Sequence, residues 1–304
     1  MTGERIAVID LGSNTFHLLI CEIKQDGTWI VIYKKRVYVK LAAGGIGEID
    51  VSSARRGLVA MRNFASIISS YGVTRTRAIG TAALRESSNG QVVAEKFRLA
   101  TGIRIDIIDG QREAGYILRG IKAALPQLDR PGLIMDIGGG SVEFILFQNN
   151  TVLFKESYKI GVAILFREFH HSDPMSVTEI EELESHLARI LGKLIHAVQQ
   201  SGSYYLIGAS GSFEVINDVL PKLEAFTHWS MLDMGDLESH LTKIIGTSRE
   251  ARRYIAEIPE ERIDYIVVAY ALIRYIYRHI PPEKLFYCDF ALKEGVIEEL
   301  VEEW

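Results

Sequence analysis

Short apolar runs bounded by turn residues alternate along this chain with longer amphipathic stretches, and the alternation predicts an α/β fold. In the first half, strands are expected near 5–11, 15–23 and 29–40, followed by a helix at about 53–71. A strand at 75–80, a helix at 89–101, a strand at 104–108 and a helix from 111 follow. The second half opens the same way, with strands near 132–137, 142–148 and 151–158. Helices at 161–170 and 176–201, a strand at 203–208 and a helix from 211 come next. Residues 235–280 read as nearly all helical, and a strand at 285–288 leads into a last helix.

The two halves resemble each other in sequence as well as in order. Arg5 to Ile20 (RIAVIDLGSNTFHLLI) falls on Gly132 to Leu146 (GLIMDIGGGSVEFIL) at an offset of 126 residues, placing Asp10 on Asp136 and Gly12 on Gly138. A second echo, Ala78 to Ala82 on Leu206 to Ser210, lies at an offset of 128. Two echoes in one order imply duplicated α/β domains. Residues 1–125 with 291–304 are expected to form one and 126–290 the other, crossing near Pro126 to Pro131.

Composition narrows the class. Thirty-four basic against 39 acidic residues give a net charge of −5 without long like-charge runs, which argues against a surface built to grip nucleic acid. Cys21 and Cys288 sit among apolar residues and read as buried thiols. The apolar stretch Ile263 to Ile280 carries Asp264, Arg274 and Arg278 and reads as a core helix, not a membrane span. A soluble cytoplasmic protein is expected.

Three glycine-rich turns carry the candidate chemistry. Asp136-Ile137-Gly138-Gly139-Gly140-Ser141 would let backbone N–H groups converge on an anion, and Gly12-Ser13-Asn14-Thr15 would do so from the other half. Asp10 and Asp136 end their strands beside these turns, where a carboxylate can hold a metal-bound water between phosphate oxygens. Gly208-Ala209-Ser210-Gly211-Ser212 adds a third loop ahead of a helix. The plainer alternative is a set of hairpin turns with capping carboxylates. Glu113, opening a helix after Gly110, reads by itself as a surface partner of the helix dipole.

Taken together, these residues resemble the exopolyphosphatase/guanosine pentaphosphate phosphohydrolase (Ppx/GppA) family of the actin-like ATPase superfamily. The resemblance rests on Ala7 to His17 (the family's DLGSNSFH), Gly80 to Arg85, Met135 to Glu143 (DIGGGSTE), Gly208 to Ser212 (GASGT) and Ala291 to Gly295 (LREG). It implies two RNase H-like domains about an interdomain cleft that closes on substrate. Glu113 would be the catalytic base, at the second Glu of the family's GxEEA, and Arg85 the arginine on the transferring phosphoryl group. Asp136 and Glu143, with Asp10, would hold Mg²⁺ or Mn²⁺. Ser13, Asn14, Thr15, Gly138, Gly139, Gly140, Ser141, Gly208, Ser210, Gly211 and Ser212 would cradle phosphates. The implied substrates are inorganic polyphosphate, short chains above all, and guanosine pentaphosphate. A homodimer is expected from the resemblance alone. An actin-like kinase or ATPase and a non-catalytic alarmone sensor are the competing classes.

Three departures stand out: Arg112 replaces the first Glu of GxEEA, Lys293 replaces an Arg, and Ala269 replaces a glycine, while Arg262-Ile263-Asp264 keeps the family's Arg–x–Asp. Arg112 is expected either to contact substrate or to face solvent. Other features read as ordinary. His170-His171 is expected to be exposed or capping, and Lys34-Lys35-Arg36 to be a solvated edge. Tyr265, Tyr270, Tyr275 and Tyr277 read as packing residues of a helix. His17 is left between packing and a place in the cleft.

Overall fold

The computed structural model describes residues 3–209 and 211–303 and divides into two compact units. The first comprises residues up to Ala123, Gly138–Gly140 and the segment from Phe290 onward; the second comprises Ala124–Ile137 and Ser141–Asp289.

In the first unit the elements run β1 (Arg5–Leu11), β2 (Thr15–Ile23), β3 (Trp29–Tyr38), α1 (Val51–Ser70), β4 (Arg75–Gly80), α2 (Ala82–Glu86), α3 (Gly90–Thr101), β5 (Ile105–Ile107) and α4 (Gly110–Ala124). The second holds β6 (Gly132–Ile137), β7 (Val142–Gln148), β8 (Thr151–Tyr158), α5 (Val162–Phe169), α6 (Val177–Ile190), α7 (Gly192–Ser201), β9 (Tyr205–Ala209) and α8 (Gly211–Val219). It continues with β10 (Lys222–Ala225), β11 (Trp229–Leu232), α9 (Leu237–Ile245), α10 (Arg249–Arg252), α11 (Ile266–His279) and β12 (Lys284–Cys288), after which α12 (Leu292–Glu302) belongs to the first unit.

Both sheets share one plan. The first has the order β3-β2-β1-β4-β5, and the second contains β8-β7-β6-β9-β12 with β11 and β10 added beyond β12. In each, an antiparallel meander is followed by parallel strands. The repeat is therefore structural, and its register is informative. Asp10 lies opposite His17 across β1–β2, and Asp136 opposite Glu143 across β6–β7. On the parallel side Asp10 meets Ile79 but Asp136 meets Ala209, two residues beyond the offset of the sequence echo. An even slip keeps every side chain on its own face, so the pattern survives it.

The core of the first unit forms because α1 presents Ala60, Met61, Phe64 and Ile68 as one buried stripe to the sheet, next to Phe16 and Phe97. Asp50 caps α1, its Oδ1 accepting from Ser53 N at 2.9 Å, and the Ser52 and Ser53 hydroxyls hold its carboxyl well below the usual range. The second unit is organised about α11, whose residues from Ile266 to Ile276 are all buried.

Three expectations needed correction. Residues 253–265, expected within a nearly all-helical stretch, form turns and a short 3-10 turn at Glu260–Arg262. The β10–β11 hairpin was not foreseen, since its strands are four residues each and β10 is exposed throughout. The long helix at 176–201 breaks at Leu191, ahead of Gly192, into α6 and α7. Tyr265, Tyr270, Tyr275 and Tyr277 pack in or against the core. His170 is the C-cap residue of α5 and stacks on Phe166, and burial lowers its pKa. Among the described residues no helix is long and apolar enough to cross a membrane.

Candidate active site

In the first unit β4 ends at Gly80, Thr81 turns the chain, and α2 carries Arg85 on its last turn. Asp109 caps α4 by accepting from Arg112 N at 2.7 Å, so Glu113 falls in the first turn of that helix, where the dipole favours a carboxylate. These two side chains meet. Arg85 Nη1 donates to Glu113 Oε2 at 2.7 Å and to the Ile108 carbonyl at 3.0 Å, and its Nε donates to Glu86 Oε1 at 3.1 Å. Glu113 is only 7% exposed. A buried carboxylate needs such a partner, because removing it from water is costly unless a cation or several donors replace the solvent. Glu86 is a site residue that sequence reasoning passed over; its one signal is its place next to Arg85.

The first glycine-rich turn belongs to the same unit. Gly12 N donates to Thr15 O at 3.1 Å to close the turn, while the Ser13 and Asn14 carbonyls accept from Ala42, Val39 and Lys40 amides. Ser13 is 4% exposed, and its hydroxyl has no hydrogen-bond partner. Gly139 and Gly140 approach this turn closely. A Cβ on Gly140 would lie 2.6 Å from Ser13 Oγ, and one on Gly139 would lie 3.0 Å from Asn14 Cβ. Ser13, Asn14, Gly139 and Gly140 are thus brought together, with an orphaned hydroxyl among them of the kind an anionic ligand would satisfy.

In the second unit Glu143 is 2% exposed, and its Oε1 accepts from both the Ser141 and Ser157 hydroxyls at 2.7 Å. The buried carboxylate thereby anchors Ser141 at the loop exit. The third loop lies against Arg262: a Cβ on Gly211 would fall 1.9 Å from the Arg262 guanidinium carbon. Arg262 Nη2 donates to Glu214 at 2.9 Å, whereas its buried Nη1 has no partner. Ser212 is half-buried in the first turn of α8, and Ser210 lies outside the described residues. Arg262 entered the sequence reading only as part of a pattern, without a role; Asp264 of that pattern pairs with Arg249 instead.

Arg112 lies exposed on the helix, the second of its two expected places. Its Nη2 donates to Tyr116 OH at 2.9 Å, and that hydroxyl donates to Glu299 Oε2 at 2.7 Å, linking α4 to α12. The same two helices touch backbone to backbone: a Cβ on Gly295 would lie 1.9 Å from the Tyr116 carbonyl. Lys293 pairs with the fully buried Glu294 at 3.0 Å.

Among the described residues no three His, Cys, Asp or Glu side chains form a metal-holding group. Asp10 and Asp136, both half-buried at strand ends, nonetheless offer hard oxygen donors. That suits Mg²⁺, which is commonly held by one or two carboxylates together with substrate phosphates.

The sequence model of the Ppx/GppA phosphatase family matches residues 19–303. The chain belongs to this family. A crystal structure of an exopolyphosphatase from Cytophaga hutchinsonii is 33% identical, covers 99% of this chain and 98% of its own, and superposes with a TM-score of 0.92. An Aquifex aeolicus member of the Ppx/GppA family, 21% identical with a TM-score of 0.79 over 99% of this chain and 98% of that one, shares the fold. A guanosine-5'-triphosphate,3'-diphosphate pyrophosphatase from Photobacterium profundum is 26% identical over 97% of this chain, which spans 59% of that relative's length. By family, then, the protein is a phosphohydrolase with an α/β fold of two similar domains.

Proposed function

We propose that the protein is an exopolyphosphatase-type phosphohydrolase that releases terminal orthophosphate from inorganic polyphosphate, guanosine pentaphosphate or both. The observation that carries this is the Arg85–Glu113 pair at 2.7 Å, a half-buried cation on a buried base within one unit. Glu113 would orient water and take its proton as the oxygen bonds to the terminal phosphorus. The bond to the bridging oxygen breaks in line, and the remaining chain leaves as a phosphate anion. Arg85 would turn to the transferring phosphoryl oxygens, exchanging Glu113 for an anion of higher charge while Glu86 still holds its Nε.

The Ser13 hydroxyl and the amides of the first unit's turns would bind phosphate, and in the second unit Arg262 Nη1 is a buried donor lacking a partner. Asp10 and Asp136 would hold Mg²⁺, which when bound neutralises phosphate charge. Glu143 would serve by fixing Ser141 and Ser157. The actin-like relationship belongs to this proposal.

Phosphate release with Mg²⁺ should be measured from short polyphosphate, long polyphosphate, guanosine pentaphosphate and ATP. Release from one of the first three that collapses in Glu113→Gln supports the proposal and identifies the substrate. Binding without release from any of them would leave a sensor, and release from ATP alone would point to an actin-like ATPase.

A further inference from the structure

A groove of about 630 Å³ lies in the first unit between β3, the edge strand of its sheet, and the first three turns of α1. The volume is that of a small-molecule site, and none of its lining residues belongs to the Arg85–Glu113 pair or the glycine-rich turns. Its floor is apolar, built from Val37, Val39, Val59 and Ala60, with Val59 62% exposed on the helix. Its rim holds Lys35, Arg55 and Arg56 and no carboxylate, in a chain whose net charge is −5. The first turn of α1 has no acidic residue, and the Asp50 carboxylate that caps the helix is taken up by Ser52 and Ser53.

Two polar bridges set the length. Lys35 Nζ of β3 donates to Asn63 Oδ1 at 2.7 Å, and Arg56 Nε donates to the carbonyl of Val39, just past β3, at 2.7 Å. Arg56 and Asn63 are seven residues apart on the helix, a span of about 10 Å. Closed at both ends, the groove suits a compact ligand and not a strand added along β3.

We propose that this groove is an effector site for a small amphiphilic anion, with one carboxylate or phosphate group on Arg55 beside Arg56 and an apolar body on the valine floor. The effector role rests on the phosphohydrolase reading; the binding site does not. Coupling runs through Arg56, whose Nη2 also donates to the Lys40 carbonyl at 3.0 Å. Lys40 has a φ of +50°, a left-handed conformation that a lysine leaves readily once its tethers weaken. The Val39 and Lys40 amides both donate to the Asn14 carbonyl, at 3.0 and 2.8 Å. A ligand anion that draws Arg56 off these carbonyls would loosen the Asn14 turn.

Calorimetric titration of the whole protein with octanoate and with octyl phosphate tests the site, with octanol and inorganic phosphate as controls. The two amphiphilic anions should saturate one site, octanol should bind at least about tenfold more weakly, and inorganic phosphate should not compete. Whichever of carboxylate and phosphate binds more tightly identifies the headgroup. Arg55→Glu and Val59→Asp, both exposed positions, should each weaken binding about tenfold or more with Tm unchanged. Binding that is indifferent to both substitutions, or displaced by inorganic phosphate alone, would overturn the site. Saturating octanoate should also alter amide exchange at Asn14 and Lys40 and shift the KM for the substrate identified above, an effect missing in Arg55→Glu. Unaltered exchange on binding would overturn the coupling. Failure of every hydrolysis assay would sink the phosphohydrolase reading and leave the titrations to stand alone.

Discussion

Glu179→Gln should destabilise the second unit far more at neutral pH than in acid. Glu179 opens α6 in a capping box with Ser176, 8% exposed, and its carboxylate gathers four donors. Oε1 accepts from His171 N at 2.7 Å and Ser172 N at 2.8 Å; Oε2 accepts from Ser176 N at 2.6 Å and from the Ser172 hydroxyl. Burial by itself would raise the pKa, but the Ser172 hydroxyl and the Ser176 and His171 amides outweigh it and pull it down to about 2. Against an ordinary 4.5, that depression contributes about 3 kcal/mol above pH 5. Because the folded pKa is the lower one, the contribution fades as pH falls through 4.5 towards 2; at pH 3 about 1.4 kcal/mol remains. Glutamine cannot replace the ion: whichever way its amide turns, an NH₂ faces two donors. The assay is urea unfolding of wild type and variant at pH 7 and pH 3. The expected gap is about 3 kcal/mol at pH 7, a Tm lowered by about 6–12 °C for a unit of this size, shrinking by about 2 kcal/mol at pH 3. A gap under about 1 kcal/mol at pH 7, or one equal at both pH values, would refute the reasoning.

Four further outcomes follow from the geometry. Glu113→Gln should cut phosphate release by about 10²–10⁴-fold in steady-state assays while moving the unfolding midpoint little, since Arg85 keeps Glu86 and the Ile108 carbonyl. Gly140→Ala should weaken phosphate-chain binding, read as KM, and cost about 1–3 kcal/mol, its methyl falling 2.6 Å from Ser13 Oγ and 2.9 Å from Ile46 Cδ1. Gly295→Ala should cost about 3 kcal/mol or more by calorimetry, because the Tyr116 carbonyl it meets at 1.9 Å is backbone and cannot swing aside. Arg112→Ala should leave kcat and KM within about twofold and stability within about 1 kcal/mol, as expected for an exposed arginine bonded to a tyrosine; a large kcat loss would put Arg112 on the substrate.

The duplication was legible because each copy states its plan locally: an apolar run, an Asp, glycines, a second apolar run. Asp10 and Asp136 at strand ends, and Glu113 at the head of a helix, follow from spacing of a few residues. Contacts made across the fold were not legible. Nothing in the sequence says that Arg112 reaches Glu299 through Tyr116, since that chain closes only when α12 packs beside α4. The same holds for Glu143, whose Oε1 accepts from Ser141 and from Ser157 on the neighbouring strand, a contact its motif does not state. The β10–β11 hairpin escaped because its strands are too short and too exposed for an alternation to show.

The discontinuity of the first unit has a consequence for how the protein is made. Residues 290–303 supply α12, which packs on β1 and β2, stacks Phe290 on Trp29 at 5.6 Å and bonds Glu298 to the Trp29 indole at 2.8 Å. Ribosomes deliver residues from the amino end, so the first 123 residues emerge long before the helix that completes their unit. At about 5–20 residues per second, the wait for roughly 180 further residues is about 10–40 s. The second unit, continuous but for one turn, can finish first although it is made later. Through that interval the apolar underside of β1 and β2 waits for its cover, a period in which a nascent chain depends on chaperones.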